Sequence, residues 1–199
     1  MSIRPRPARS SEAVRRAERG SVQDPEVVLG AAARLLEGRA RSVAEVRRRL
    51  TGAGYRPELV DAAIERLQAL GILDDEAFAR AWVTSRDRAH PRGERALRAE
   101  LREKGIAPDL ITALLDERRV GAPDGVDRGP AVPGDGVAAE RLLARNERAL
   151  LGTDDPRRRR QRAWALLARA GFDPETARSA VAELERRWSV GNLDDDTQP

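Results

Sequence analysis

One eight-residue pattern, Leu-x3-Gly-apolar-x-Pro, recurs three times in this 199-residue chain and limits its fold more than any other feature. Segments Ser42–Leu67, Gly93–Arg118 and Arg159–Leu184 align without a gap. Leu50, Leu101 and Leu167 coincide, followed by Gly54, Gly105 and Gly171, then Tyr55, Ile106 and Phe172, then Pro57, Pro108 and Pro174. The later apolar positions Ile64, Leu115 and Val181 also match. Each part has a mechanical role. Glycine at a helix C-terminus adopts the left-handed conformation that caps free carbonyls. The apolar residue after it folds back onto the helix, and proline suits the first turn of the next helix. The pattern therefore predicts a repeated helical hairpin.

A further helix precedes each hairpin, expected at Glu26–Glu37, Asp75–Arg86 and Val137–Leu150. The hairpins become evenly spaced once Gly121–Gly136, rich in Gly, Pro and Asp, is set aside as a linker. A spacing of about fifty residues is too long for the roughly 34-residue tetratricopeptide unit. Apolar residues recur three and four apart, with no period-two run, so the chain is all-α. The expected architecture is three tandem three-helix modules forming an elongated, curved helical-repeat protein. Its parts are a disordered basic N-terminal arm at 1–24, modules at 25–70, 72–119 and 137–188, a Gly/Pro-rich linker at 120–136 and an acidic disordered tail at 189–199.

Composition removes most catalytic chemistries. The chain has no Cys and a single His, so thiolate metal sites, Cys nucleophiles and His-based relays have almost nothing to work with. No Gly-rich phosphate loop with Lys and no nucleophile–base pair stands out, so no catalytic residue, metal or cofactor is expected. No run approaches the roughly 20 apolar residues of a membrane span, and Met1–Gly20 lacks the apolar stretch of a secretory signal. A cytoplasmic, membrane-free protein is the expectation. All but one of the 37 basic residues are Arg, the exception being Lys104. Such a surface suits polyanions, although a GC-rich genome would also favour Arg and Ala codons.

The junction Leu70-Gly71-Ile72-Leu73-Asp74-Asp75-Glu76-Ala77-Phe78-Ala79 reads as a helix stop followed by a start. Gly71 ends one helix, Leu73 and Phe78 have the spacing of a hydrophobic staple, and Asp74 or Asp75 caps the next helix as a structural carboxylate. This junction, the hairpin Gly93-x3-Leu97-x3-Leu101-x3-Gly105-Ile106 and the three-module plan resemble the RecX family of RecA recombinase regulators, over about Val27 to Arg187. The basic arm and the Gly121–Gly136 insertion depart from the family's compact pattern.

The resemblance implies a monomeric, non-enzymatic protein of DNA repair, recombination and the SOS response. It would bind the RecA–DNA filament, contact single- and double-stranded DNA, and inhibit recombinase and ATPase activity. Charge clustering within that resemblance marks Arg47 and Arg48 on the first hairpin, Arg92, Arg95, Arg98, Arg102 and Lys104 on the second, and Arg157, Arg158, Arg159, Arg160 and Arg162 on the third as candidate RecA- or DNA-binding residues. Four successive charges at Arg157–Arg160 repel unless an anion or solvent screens them, which favours ligand contact there. Isolated arginines suit a solvated face laced with i,i+4 Glu–Arg pairs. Trp82 and Trp164 have apolar neighbours and suit the core; Trp188 is less constrained, and His90 lies in a loop. Two other classes stay open: a sequence-specific helix-turn-helix DNA-binding regulator, or a helical-repeat adaptor for another protein.

Overall fold

A computed structural model describes residues 8–120 and 134–195, and all regular structure among them is α-helical. The helices are α1 (Ala8–Gly20), α2 (Pro25–Glu37), α3 (Val43–Ala53), α4 (Pro57–Ala69), α5 (Asp75–Ala89), α6 (Glu94–Glu103), α7 (Pro108–Val120), α8 (Asp135–Arg145), α9 (Glu147–Leu151), α10 (Pro156–Ala170) and α11 (Pro174–Asp195). They divide into two compact units. One holds the described residues up to Phe78 together with Lys104–Ile106, and the other holds the rest.

In the first unit, α2, α3 and α4 pack on one another around Val28, Ala32, Val46, Leu50, Val60, Ile64 and Leu67. Their boundaries follow local chemistry. Asp24 accepts from the Glu26 N–H at 2.9 Å to start α2, and Ser42 accepts from the Glu45 N–H at 3.1 Å to start α3. Gly54 ends α3 at φ 107°, Tyr55 N–H returns to the Leu50 carbonyl at 3.2 Å, and Pro57 opens α4. At the junction Asp74 caps α5, accepting from Glu76 and Ala77 N–H at 2.8 and 3.1 Å, with Leu73 and Phe78 both buried. Asp75 instead reaches back to the Val43 N–H at 2.9 Å. Burial pushes its carboxyl above the usual aspartate range, the Val43 bond opposes this and the Asp74 charge adds to it.

The second unit contains α6 packed on α7, and a larger assembly of α8, α9, α10 and α11 around Leu143, Leu150, Leu167, Phe172, Val181 and Leu184. Trp164 and Trp188 lie partly buried against this cluster. Gly105 and Gly171 are left-handed, as Gly54 is. A buried ion pair, Arg118 with Asp87, lies here as well, extended to a triad by the half-buried Asp135. The Arg118 side chain is 2% exposed; its guanidinium meets Asp87 at 3.0 Å, Asp135 and the Arg92 carbonyl. Asp135 also accepts from the Glu94 N–H at 3.0 Å, supplying α6 with a cap from α8.

Several boundaries differ from the sequence expectation. The arm is helical over Ala8–Gly20, because its Ala, Arg and Glu favour helix and tertiary contacts hold it. Arg19 donates to the Ala53 carbonyl at 3.3 Å and lies 5.9 Å from the Tyr55 ring. The linker ends earlier than 136: Gly134 caps α8, and Asp135 and Gly136 are helical. The helix expected at Val137–Leu150 breaks at Asn146 into α8 and α9. The tail is helical to Asp195, continuing α11. Residues 1–7, 121–133 and 196–199 of the arm, linker and tail lie outside the described residues.

Candidate functional site

The expected basic residues fall on the first helix of each hairpin, α3, α6 and α10, except Arg92 and Lys104, which flank α6, and most engage the fold itself. On α3, Arg47 pairs with Asp61 at 2.9 Å, while Arg48 and its neighbour Arg49 are exposed and have no partner among the described residues. Lys104 reaches Glu45 at 3.3 Å. Burial pushes the Glu45 carboxyl up, but the Lys104 hydrogen bond and charge, with Arg39 and Arg41 behind them, hold it below the usual glutamate range.

In the second unit Arg92 lies 3.7 Å from Glu100, whose other oxygen is taken by Arg86 at 2.6 Å and by the Trp82 indole at 2.9 Å. Arg95 donates to the Ala168 carbonyl at 3.1 Å. Arg98 bonds Glu94 at 2.9 Å and Thr112 at 3.1 Å. Arg102 is exposed without a partner among the described residues. Arg95, Arg98, Arg118 and Arg119 line a cleft of about 740 Å³, yet Glu94, Asp135, Asp173 and Glu175 line it too, so its charge is balanced.

The run at the start of α10 is largely neutralised from within. Asp155 caps the helix, accepting from the Arg157 N–H at 2.9 Å, and lies 3.6 Å from the Arg158 guanidinium. Arg159 donates to the Thr153 carbonyl at 3.1 Å and stacks 5.2 Å from the Trp188 ring centroid. Arg160 makes a two-pronged bond to Glu185 at 2.7 and 3.0 Å, and Arg162 bonds the Thr153 hydroxyl at 2.6 Å. Only the Arg157 side chain is left without a partner among the described residues, so the repulsion argued from the sequence is relieved internally for its neighbours. The ion pairs mostly cross between helices, where an i,i+4 lacing was expected; Glu94–Arg98 is of the i,i+4 kind. The tryptophans behave as amphipathic anchors: Trp82 and Trp188 give their N–H to Glu100 and Glu147.

What remains is an exposed arginine with no partner on the first helix of every hairpin: Arg48 and Arg49 on α3, Arg102 on α6, Arg157 and Arg169 on α10. Arg49 belongs to the run of three charges visible in the sequence, whereas Arg169 is isolated there and carries no signal. The Arg118–Asp87–Asp135 triad escaped the sequence reading, though a signal existed: Arg118 continues the apolar stripe of Ile111, Leu114 and Leu115, and Asp87 that of Ala79 and Val83. Among the described residues no group of three or more His, Asp or Glu could hold a metal ion, and no helix is long and apolar enough to cross a membrane.

Helical hairpins built on a left-handed glycine, each with an exposed arginine on its first helix, define an all-α protein of tandem three-helix modules. Models of the first and second RecX three-helix domains match residues 29–67 and 74–115. "Regulatory protein RecX" of Mycobacterium avium (strain 104) is 40% identical over 161 residues, covering 77% of this chain and 85% of the relative. The protein of the same name from Mycobacterium tuberculosis (strain ATCC 25618 / H37Rv) is 39% identical over 163 residues, covering 77% and 86%. This chain belongs to the RecX family. The fold agrees: the crystal structure of RecX from Lactobacillus salivarius superposes with a TM-score of 0.62 at 19% identity, covering 81% of this chain and 96% of the other.

Proposed function

We propose that this chain binds the RecA–DNA filament and inhibits RecA's recombinase and ATPase activities in DNA repair and recombination, without catalysing a reaction. The observation that carries this reading is membership of a family whose members are named regulatory proteins, at about 40% identity over 77% of the chain. The exposed arginines support it. A recombinase filament presents carboxylates and phosphates, and guanidinium groups left unpaired on α3, α6 and α10 suit both. Arg48, Arg102 and Arg157 are the strongest of the contact candidates, because folding does not use their charge. The chain acts as a monomer in the cytoplasm in this reading, and needs no cofactor.

The test is the single-strand-dependent ATPase and strand exchange of the cognate RecA, titrated with the wild type and with Arg48→Ala/Arg102→Ala/Arg157→Ala. Inhibition by the wild type that weakens in the triple variant is the expected result. Inhibition unchanged in the variant keeps the function and moves the contact elsewhere. No effect on RecA at any ratio, with tight binding to one duplex sequence, would replace the reading with that of a sequence-specific regulator.

A further inference from the structure

A second cleft in the larger unit, of about 540 Å³, differs from the balanced one in the chemistry of its walls. Its charged side chains are Arg92, Arg145 and Arg169, its other titratable side chain is His90, and no carboxylate lines it. The three arginines come from separate pieces of chain: the loop before α6, the end of α8 and the last turn of α10. Guanidinium groups donate hydrogen bonds and cannot accept them. Asn146, also on the wall, gives its amide N–H to the Leu142 carbonyl at 2.8 Å.

The helix ends that meet here do not neutralise the cleft. Arg145 donates to the Arg88 and Ala89 carbonyls at the end of α5, and Gly93 N–H takes the Ala170 carbonyl at the end of α10 at 3.0 Å. The negative ends of both helices are thus already satisfied. Arg92 shares Glu100 with Arg86 and Trp82: its buried Nε faces that carboxylate at 3.7 Å, too far for a hydrogen bond. Arg169 has no partner among the described residues, and His90 is exposed.

We propose that this cleft is a phosphate site, with Arg169 and Arg92 as the charged ligands, His90 as a further donor, and Arg145 holding the wall in place. A concave wall with forked donors from Arg92 and Arg169 and a ring N–H from His90 fits an oxyanion, which accepts from several sides at once. The phosphate belongs to a nucleic-acid backbone or to a free phosphoanion; the chemistry is shared, and the two sources separate experimentally. The proposal goes beyond filament inhibition and does not require RecA.

The chain has one histidine, so the His90 imidazole is a unique NMR reporter inside the cleft. The full chain is titrated at low salt with inorganic pyrophosphate, with oligothymidylate and with polyglutamate, as wild type, Arg169→Gln and Arg178→Gln. Arg178 is exposed on α11 and lies outside the cleft. A saturable His90 shift is expected, its affinity reduced about tenfold in Arg169→Gln, the loss of one charge-assisted hydrogen bond, and unchanged in Arg178→Gln. A response to oligothymidylate alone makes the ligand a nucleic-acid phosphodiester, and one to pyrophosphate alone makes it a free phosphoanion. Absence of a His90 response to both, a response as large in Arg169→Gln, or an equal response to polyglutamate would overturn the proposal. RecA is absent from this assay, so its failure leaves the inhibition test untouched.

Discussion

Gly71 and Gly171 are both left-handed, at φ 67° and 87°, yet they are constrained to different degrees. A Cβ on Gly71 would meet nothing within 4 Å, whereas one on Gly171 would stand 2.5 Å from the Ala96 Cβ and 2.7 Å from its backbone nitrogen. Gly71→Ala therefore measures the backbone cost alone, about 1 kcal/mol. Gly171→Ala adds a clash against helical backbone and is expected to cost about 2–4 kcal/mol, read as the difference in urea midpoints. Equal losses at the two positions would contradict the close approach. Glu45 gives a prediction in pH. It is 5% exposed, and Lys104 holds its pKa below the usual range, so the ionised form stabilises the fold above the unfolded pKa of about 4.3 and this contribution is lost as pH falls through the lower folded value. Lys104→Met is expected to cost about 1–3 kcal/mol at neutral pH, because it leaves a buried carboxylate short of a partner. Denaturant titrations of both proteins should converge only once the pH has fallen below the lowered folded value, where the carboxyl is protonated in either state. A gap that persists undiminished there would assign the loss to packing of the Lys104 stem.

Between elements, the same hydrogen bond recurs at matching positions. In each hairpin the carbonyl just before the capping glycine accepts from an earlier part of the chain: Ala53 from Arg19 at 3.3 Å, Lys104 from the Ser42 hydroxyl at 2.6 Å, and Ala170 from the Gly93 N–H at 3.0 Å. Ser42 and Gly93 are equivalent in the repeat, as are Lys104 and Ala170. A helix C-terminus leaves carbonyls without intrahelical partners, and here one of them joins a hairpin to what precedes it. Ser42→Ala removes the α3 cap and this bond together. Its expected cost is about 2–3 kcal/mol, more than the roughly 1 kcal/mol of a cap alone, measured by denaturation beside Asp24→Ala as the plain-cap reference. This bond also marks the limit of what the sequence displays. The hairpins, their capping glycines and the Leu73–Phe78 staple are local devices, each legible within about eight residues. The docking bond is not, because Ser42 and Lys104 are 62 positions apart and a carbonyl carries no residue identity. The helix α1 was hidden for a related reason: Val14 is its one large apolar residue, and what orders it is Arg19 against Ala53 and Tyr55. Of the candidate site, residue type and helix were legible, but which arginines fold inward was not. Arg160 and Arg157 look alike in a run of four, and only the arrival of Glu185 from α11 distinguishes them.

For the chain as a whole, the formal charge of +4 conceals how charge is distributed, because 33 acidic residues offset most of the 37 basic ones on paper but not in space. Where a carboxylate sits on a guanidinium, as at Arg80–Glu117 and Arg160–Glu185, the pair contributes little at a distance. On the proposed function, binding to DNA would depend on the few arginines that folding leaves over, and its salt dependence would count them. Each phosphate contact displaces condensed counterions, lowering log affinity by about 0.9 per tenfold rise in salt. If Arg48, Arg102 and Arg157 each hold a phosphate, the triple alanine variant should lose about three from the slope, measured by anisotropy of a labelled duplex between about 50 and 200 mM salt. It should weaken all sequences alike, since backbone contacts carry no base identity. Replacing the internally paired Arg47, Arg98 and Arg160 instead removes the same formal charge but should leave the slope nearly unchanged, at some cost in stability. Equal slopes for the two triple variants would mean that net charge governs binding and that pairing within the fold does not. A smaller slope only in the first would place the DNA contact on the arginines the fold leaves unpaired.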